Sequence, residues 1–171
     1  MRRLTLVALL VCATAAAAPA AATHTASLCT GTALTGRFAV VPNSAGAGNI
    51  VYALVLRNRS TSTCAVTGLP SLTLVGRYGK ALPTHVLAVS PTTLTAVLVR
   101  LAPGKSARAT ARFSPDIPGP GEPVSGRQCE RTAYRAVVHA PGGGNVTVAL
   151  APPTPVCEHG QLQFKAYQAA G

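Results

Sequence analysis

Between Ser106 and Phe113, small apolar residues alternate without a break with polar or cationic ones. Ala107, Ala109, Ala111 and Phe113 take one side of an extended chain, and Ser106, Arg108, Thr110 and Arg112 take the other. Side chains of a strand point alternately to opposite faces, so this octet has one face for a core and one for solvent. The same period recurs along the chain, cut short each time by Gly, Pro, Asn or Ser. Leu34, Phe38 and Val40 alternate with Thr35, Arg37 and Ala39, and Leu72–Val75, His85–Val89 and Thr95–Leu101 follow as short strands. Ile50–Leu56 is apolar on both faces and reads as a central strand covered on both sides. Tyr134–Ala140 and Val146–Leu150 flank Pro141-Gly142-Gly143-Gly144-Asn145 as a hairpin, and Leu162–Tyr167 is the last strand. No amphipathic helix pattern interrupts the series. The expected fold is all-β, an immunoglobulin-like antiparallel β-sandwich of about 8–9 short strands. The chain has no Trp, so small core residues and cross-links must substitute for aromatic bulk.

The N-terminus carries an export signal. Met1-Arg2-Arg3 supplies positive charge, Leu4–Ala18 an apolar run, and Ala20-Ala21-Ala22 a small-residue cleavage site. The expected organisation is a signal peptide over residues 1–22, a short tail over 23–28, and one domain over 29–171. No other stretch approaches the roughly 20 apolar residues that a membrane-spanning helix needs. Cys12 lies within the apolar run and leaves with it. Val11 stands where a lipid-modified cysteine needs a small residue before it, which argues against a lipid anchor.

Cys29, Cys64, Cys129 and Cys157 remain, an even number in an oxidising compartment. Four cysteines allow three pairings, between which the sequence does not choose. Joining Cys29 to Cys64 and Cys129 to Cys157 has the merit of closing moderate loops, each bridge then contributing about 3–4 kcal/mol. The spacings contain no C-x-x-C knuckle, which speaks against zinc.

One segment is distinctive. Asn58-Arg59-Ser60-Thr61-Ser62-Thr63-Cys64 leads through Ala65-Val66-Thr67 into Gly68-Leu69-Pro70, so a buried strand ends in Asn, a Ser/Thr turn follows, and Cys precedes Gly-x-Pro. With Leu101-Ala102-Pro103-Gly104 and the four cysteine positions, it resembles a family of small secreted actinobacterial proteins grouped as domain of unknown function 4232. The resemblance runs from about Cys29 to Tyr167. It implies an exported or envelope-attached β-sandwich with the first two and last two cysteines paired, and it implies no activity. The chain departs from the family pattern at Pro115–Gly126, where four prolines and three glycines read as an exposed loop. On physical grounds the Asn and Ser/Thr side chains close a corner by bonding nearby backbone, and Gly68 and Pro70 set the exit into the next strand.

Catalytic sets are wanting in the sequence. There is no G-x-S-x-G elbow, the only Asp is Asp116 in the insert, and His24, His85, His139 and His159 stand apart. Glu122, Glu130 and Glu158 form no recognisable pair for glycoside cleavage, although Glu130 and Glu158 each follow a cysteine. The expectation is a non-enzymatic protein with no metal and no cofactor. A hydrolase acting on cell-wall material through His139 or His159 with Glu158 is the alternative reading, and a purely structural accessory domain is another.

Charge supplies the remaining functional signal. Without Arg2 and Arg3 the chain has 13 Lys and Arg against four acids, a net of +9, a field that favours anionic partners. The turn Ala102-Pro103-Gly104-Lys105 would pair Thr95–Leu101 with Ser106–Phe113, bringing Arg100, Arg108 and Arg112 together as an anion-binding patch. Arg37, Arg57 and Arg135 would extend it, depending on their sheet. Four Tyr and three Phe offer few stacking platforms and an exported protein is in the wrong compartment, so nucleic acid is not expected as a partner. Scattered solvated cations with no specific partner are the plainer reading of this charge; a cell-envelope phosphopolymer, anionic lipid headgroups or another exported protein are the candidate partners.

Overall fold

A computed structural model describes residues 26–123, 129 and 131–171. The expected export signal at 1–22 and residues 124–126 of the insert lie outside the described residues. Among the described residues are β1 (Leu34–Val40), β2 (Ile50–Asn58), β3 (Cys64–Val66), β4 (Ser71–Gly76), β5 (His85–Ala88) and β6 (Val99–Leu101). They continue with β7 (Ser106–Phe113), β8 (Ala133–His139), β9 (Asn145–Thr154), β10 (Gln161–Phe164) and β11 (Gln168–Ala169).

The all-β expectation holds, and Cys29–Cys64 and Cys129–Cys157 are both bonded. The strands, however, are not laid out as two separate antiparallel sheets. Nine of the eleven follow one hydrogen-bonded path, β4-β8-β9-β1-β2-β7-β10-β5, with β11 added to β7. Within it β1 runs parallel to β9 at Phe38 and Ala39, and β10 runs parallel to β5. The path curls until its ends meet. Leu82 N donates to Leu74 O at 2.9 Å, and Leu74 N donates to Thr84 Oγ1 at 2.9 Å, so the chain leading into β5 lies against β4. The result is close to a barrel, built as a mixed sheet.

The inward faces follow the alternation in the sequence. Ala107, Ala109, Ala111 and Phe113 of β7 are buried, as are Tyr52, Leu54 and Leu56 of β2. Aromatic bulk is present after all. Phe38 meets Tyr52 edge-on at 5.5 Å between ring centres and stacks on Phe164 at 6.0 Å, while Tyr52 lies 5.0 Å from Phe113. One ring from each of β1, β2, β7 and β10 thus forms a continuous chain that stands in for the missing Trp. Tyr52 donates its hydroxyl to the Pro152 carbonyl at 2.7 Å, so this core phenol has its partner.

The hairpin expected between Thr95–Leu101 and Ser106–Phe113 does not form. β6 pairs with β3 in a separate two-stranded ribbon, and β7 pairs with β2 over eight residue pairs from Ile50–Phe113 to Arg57–Ser106. The reason lies at Asn58, which is fully buried. Its Nδ2 donates to the carbonyls of Ser62 and Leu101, each at 2.8 Å, and its Oδ1 accepts from Ser60 N at 2.9 Å and Ser60 Oγ at 2.7 Å. All four hydrogen-bonding positions of the amide are therefore filled. The backbone of the same residue completes the divergence: Gly104 N donates to Asn58 O, and Asn58 N donates to Lys105 O. The Pro103-Gly104 turn thereby hands the chain from the β3–β6 ribbon to β2, and does not fold β6 onto β7. Gly104 takes φ of +75°, which glycine adopts without steric cost.

The N-terminal stretch closes this corner. Ala65 N donates to Ser27 O and Cys29 N to Ala65 O, so residues 27–29 run beside β3 and the Cys29–Cys64 bridge fastens them. The β8–β9 hairpin loop packs on the same stretch, with Gly31 N donating to Gly143 O and Gly142 N to Cys29 O. A Cβ on Gly142 would run into the Leu28 carbonyl oxygen, so the expected glycine-rich loop is set by close backbone approach.

Replacing Asn58 with Ala leaves the Ser62 and Leu101 carbonyls and the Ser60 amide without their shared partner. The expected loss is about 2–4 kcal/mol, read as a lower urea midpoint with unchanged slope.

Candidate functional site

Arg100, Arg108 and Arg112 are not one cluster. Arg100 sits on β6 opposite Ala65, in the ribbon that splits away from the main sheet. Arg108 and Arg112 lie on β7, each two positions from Thr110 and on either side of it, and so share its outward face as expected. Arg112 donates through Nε to Asn49 Oδ1 at 2.9 Å and borders a hollow of about 290 Å³ with Phe113, Ile117 and Glu158. Arg108 lines a much larger one.

That larger feature is a half-open groove of about 1050 Å³ on the outer face of β1, β2 and β7. Its geometry follows from the ladder register. Arg37 of β1 is paired with Val55 of β2, Val55 with Arg108 of β7, and Arg108 with Gln168 of β11. Residues directly opposite across a sheet share a face, so these four form one row across the groove. Neighbouring strands lie about 4.8 Å apart, which places the backbones bearing the two arginines roughly 10 Å from one another with Val55 between. The next row is Ala39, Ala53 and Thr110. The row on the other side is Thr35, Arg57 and Ser106, where Arg57 Nε donates to Gly104 O at 3.0 Å.

The second apolar face of β2 is thus the floor of this groove. It was expected to be covered, but Ala53 and Val55 are only half-buried and line the open space. One wall is the chain after β10. Lys165 N donates to Thr110 O, Ala170 N donates to Ser106 O, and Tyr167 N donates to Gly68 O. Tyr167 is buried at 4% exposure and roots the wall in the core, leaving Lys165 and Gln168 along the groove. Gly68 belongs to the distinctive Asn58–Pro70 segment, so that corner positions a wall of the site. Arg37, Lys105, Arg108 and Lys165 line the groove, with no Asp or Glu side chain among its lining residues. Of the residues proposed as extensions, Arg37 belongs to the groove and Arg57 to its sheet face. Arg135 does not: it lies on β8 and donates to Arg77 O at 3.2 Å. Lys105 and Lys165 were invisible in the sequence, because their position depends on the turn beside Asn58 and on the wall packed along β7.

A second constellation involves the insert. Composition predicts an exposed loop, yet Glu122 is buried, its side chain only 3% exposed. Cys157–Gly160 forms a single left-handed turn, with Glu158 at φ 55° and His159 at φ 57°. Both backbone amides point at the Glu122 carboxylate, which also accepts from Gly119 N at 2.6 Å. Successive amides in such a turn form a concave anion seat, here filled from within the chain. The left-handed conformation costs about 1–2 kcal/mol at each non-glycine residue, and the charge-assisted bonds offset it. Gly160 continues the turn where a Cβ would run into the Pro83 carbonyl. His159 Nε2 faces Pro120 O at 2.9 Å and Nδ1 lies 3.5 Å from Glu122. Burial would raise the Glu122 carboxyl. The amides of Gly119, His159 and Glu158, together with the nearby His159 ring, outweigh it and hold the group below its ordinary range.

The Glu122 carboxylate lies within 4.8 Å of the sulfurs of Cys129 and Cys157. Those sulfurs are bonded to one another and offer no thiolate, so the set is a bridge with a carboxylate seated beside it. The His139 ring lies elsewhere, with Nδ1 2.8 Å from Asn145 Oδ1 and Nε2 3.2 Å from Thr73 Oγ1. Glu130 falls outside the described residues. A carboxyl held below its ordinary range binds its proton less readily in the folded state than in the unfolded one. Its contribution is complete above the ordinary carboxylate range and is lost as pH falls through the lowered value. Glu122→Gln is therefore expected to lower stability at neutral pH by about 1–3 kcal/mol. Its gap from the unaltered protein should close as acid protonates Glu122, measured by urea unfolding across pH.

Among known proteins, no curated protein and no solved structure matches the chain. A family match extends over residues 29–168, from the first disulfide cysteine into the groove wall. The chain belongs to the family described as Domain of unknown function (DUF4232).

Proposed function

We propose that the protein is an exported, non-enzymatic β domain that holds an anionic partner of the cell envelope or the extracellular space in the β1–β2–β7 groove. The observation that carries this reading is the row Arg37–Val55–Arg108, two guanidinium groups flanking an apolar floor in a concavity lined by no carboxylate side chain. The charged side chains of this cleft all carry one sign, and such a lining above a low-dielectric floor concentrates counter-ions and speeds their encounter. Two disulfides and the export signal favour an oxidising compartment, and no helix of the described residues is long and apolar enough to cross a membrane.

The hydrolase alternative draws less support. His139 is occupied on the outer face of β8, and His159 faces Glu122 and Pro120 at the left-handed turn. The groove lining offers hydroxyls at Ser106 and Thr110 but no histidine or carboxylate side chain to act as their base.

The test is retention on immobilised envelope polymer across a salt series. Raising ionic strength from about 0.01 to 0.15 M shortens the screening length from about 30 to 8 Å, and retention should weaken about tenfold or more. Arg37→Gln/Arg108→Gln should reproduce that loss at low salt with the melting temperature unchanged. Retention indifferent to both salt and the double substitution would refute the proposal.

A further inference from the structure

The groove's lining narrows the chemistry of what it can hold. Resting on the reading of the groove as an anion site, we infer that its ligand is a polyol-phosphate chain, a flexible polymer of phosphodiester-linked polyhydroxyl units. Three properties of the lining lead there.

The first is the spacing of charge. Arg37 and Arg108 stand in one row, Lys165 bonds through its backbone to Thr110 in the next, and Lys105 lies at the opposite end beside Ser106. Two-residue steps along a strand are about 6.7 Å and two-strand steps about 10 Å, so the cations are separated rather than gathered into one pocket. Separated cations match a ligand carrying one charge per repeat. The guanidinium forks suit phosphate oxygens, and Ser106, Thr110 and Gln168 offer neutral hydrogen bonds for hydroxyls between the charges.

The second is the absence of an aromatic ring from the lining. The floor is Ala39, Ala53 and Val55, small aliphatic surface that accepts a thin aliphatic chain and gives a planar base nothing to stack on.

The third concerns the backbone beneath the floor. The β1–β2 and β2–β7 ladders are paired through seven and eight residue pairs, so the central strand of the floor has its amides and carbonyls engaged on both edges. An acidic polypeptide laid there would bury its own amides and carbonyls without matching partners, a cost of about 1–3 kcal/mol for each unsatisfied group. A polyol-phosphate chain has no such obligatory backbone donors. A lipid surface carries the same phosphate chemistry, but the groove is concave and walled by residues 165–171, so a thin chain reaches its floor where a flat bilayer does not.

The experiment titrates the full mature protein with a synthetic glycerol-phosphate oligomer, an oligoglutamate of equal charge number, and vesicles containing phosphatidylglycerol. Calorimetry is run at fixed low ionic strength. The glycerol-phosphate oligomer should bind at least about tenfold more tightly than oligoglutamate. Arg37→Gln and Arg108→Gln should each weaken it by about tenfold, and the control Lys80→Gln, on the loop after β4, should leave it unchanged. Equal affinity for the two oligomers would overturn the polyol-phosphate assignment while leaving an anion-binding groove standing. Preference for vesicles would overturn it in favour of a lipid surface. Failure of all three probes to bind, or binding that ignores both arginine substitutions, would overturn the groove reading itself.

Discussion

The buried amide of Asn58 is the constraint from which the rest of the architecture follows. A primary amide out of water must fill two donor and two acceptor positions, and this one does so with Ser60, Ser62 and Leu101. Holding the Leu101 carbonyl keeps β6 with β3. The Asn58 backbone meanwhile takes up Gly104 and Lys105, and so starts β7 along β2. Because β7 joins β2 and not β6, Arg108 arrives opposite Val55 and in line with Arg37. A single satisfied polar group thereby decides which cations share a face.

The Ser/Thr turn, Cys64 and Gly68 extend that constraint outward. The Cys29–Cys64 bridge fixes the ribbon to the N-terminal stretch, and the Gly68 carbonyl receives Tyr167 at the root of the groove wall. The Asn58–Pro70 segment is therefore structural, and its bearing on function is indirect: it builds the corner from which one wall of the groove is hung. On the opposite side of the chain's course, the insert is tied down by the Glu122 carboxylate in the left-handed turn at Glu158 and His159. The covalent link at Cys157 and this ionic seat lie side by side, so the two restraints reinforce one another.

Much of this was legible in the sequence wherever the physics is local. The alternation of Ser106–Phe113 gave β7 with its buried alanines and its outward Arg108 and Arg112, and the glycine-rich hairpin stands where composition puts it. What escaped depended on distant partners. Turn chemistry at Pro103-Gly104 signals that the chain reverses, but not that Leu101 is captured by an amide 43 residues earlier. The parallel pairings β1–β9 and β5–β10 join segments far apart in the chain and leave no periodic trace. Proline and glycine mark Pro115–Gly126 as a loop, yet nothing local shows that Glu122 inside it becomes buried. The two-faced apolar character of Ile50–Leu56 suggests double coverage. Hydrophobicity does not distinguish a covered face from the floor of an open groove, and here Ala53 and Val55 are the floor.

The most direct measurement of the central claim is a map of amide chemical shifts as the protein is titrated with a soluble polyanionic oligomer. The account predicts changes concentrated on Arg37, Ala39, Val55, Arg108 and Gln168, with β4, β8 and the far part of β9 unmoved. Shifts centred on the β4–β8–β9 side, or spread evenly over every surface cation, would contradict it.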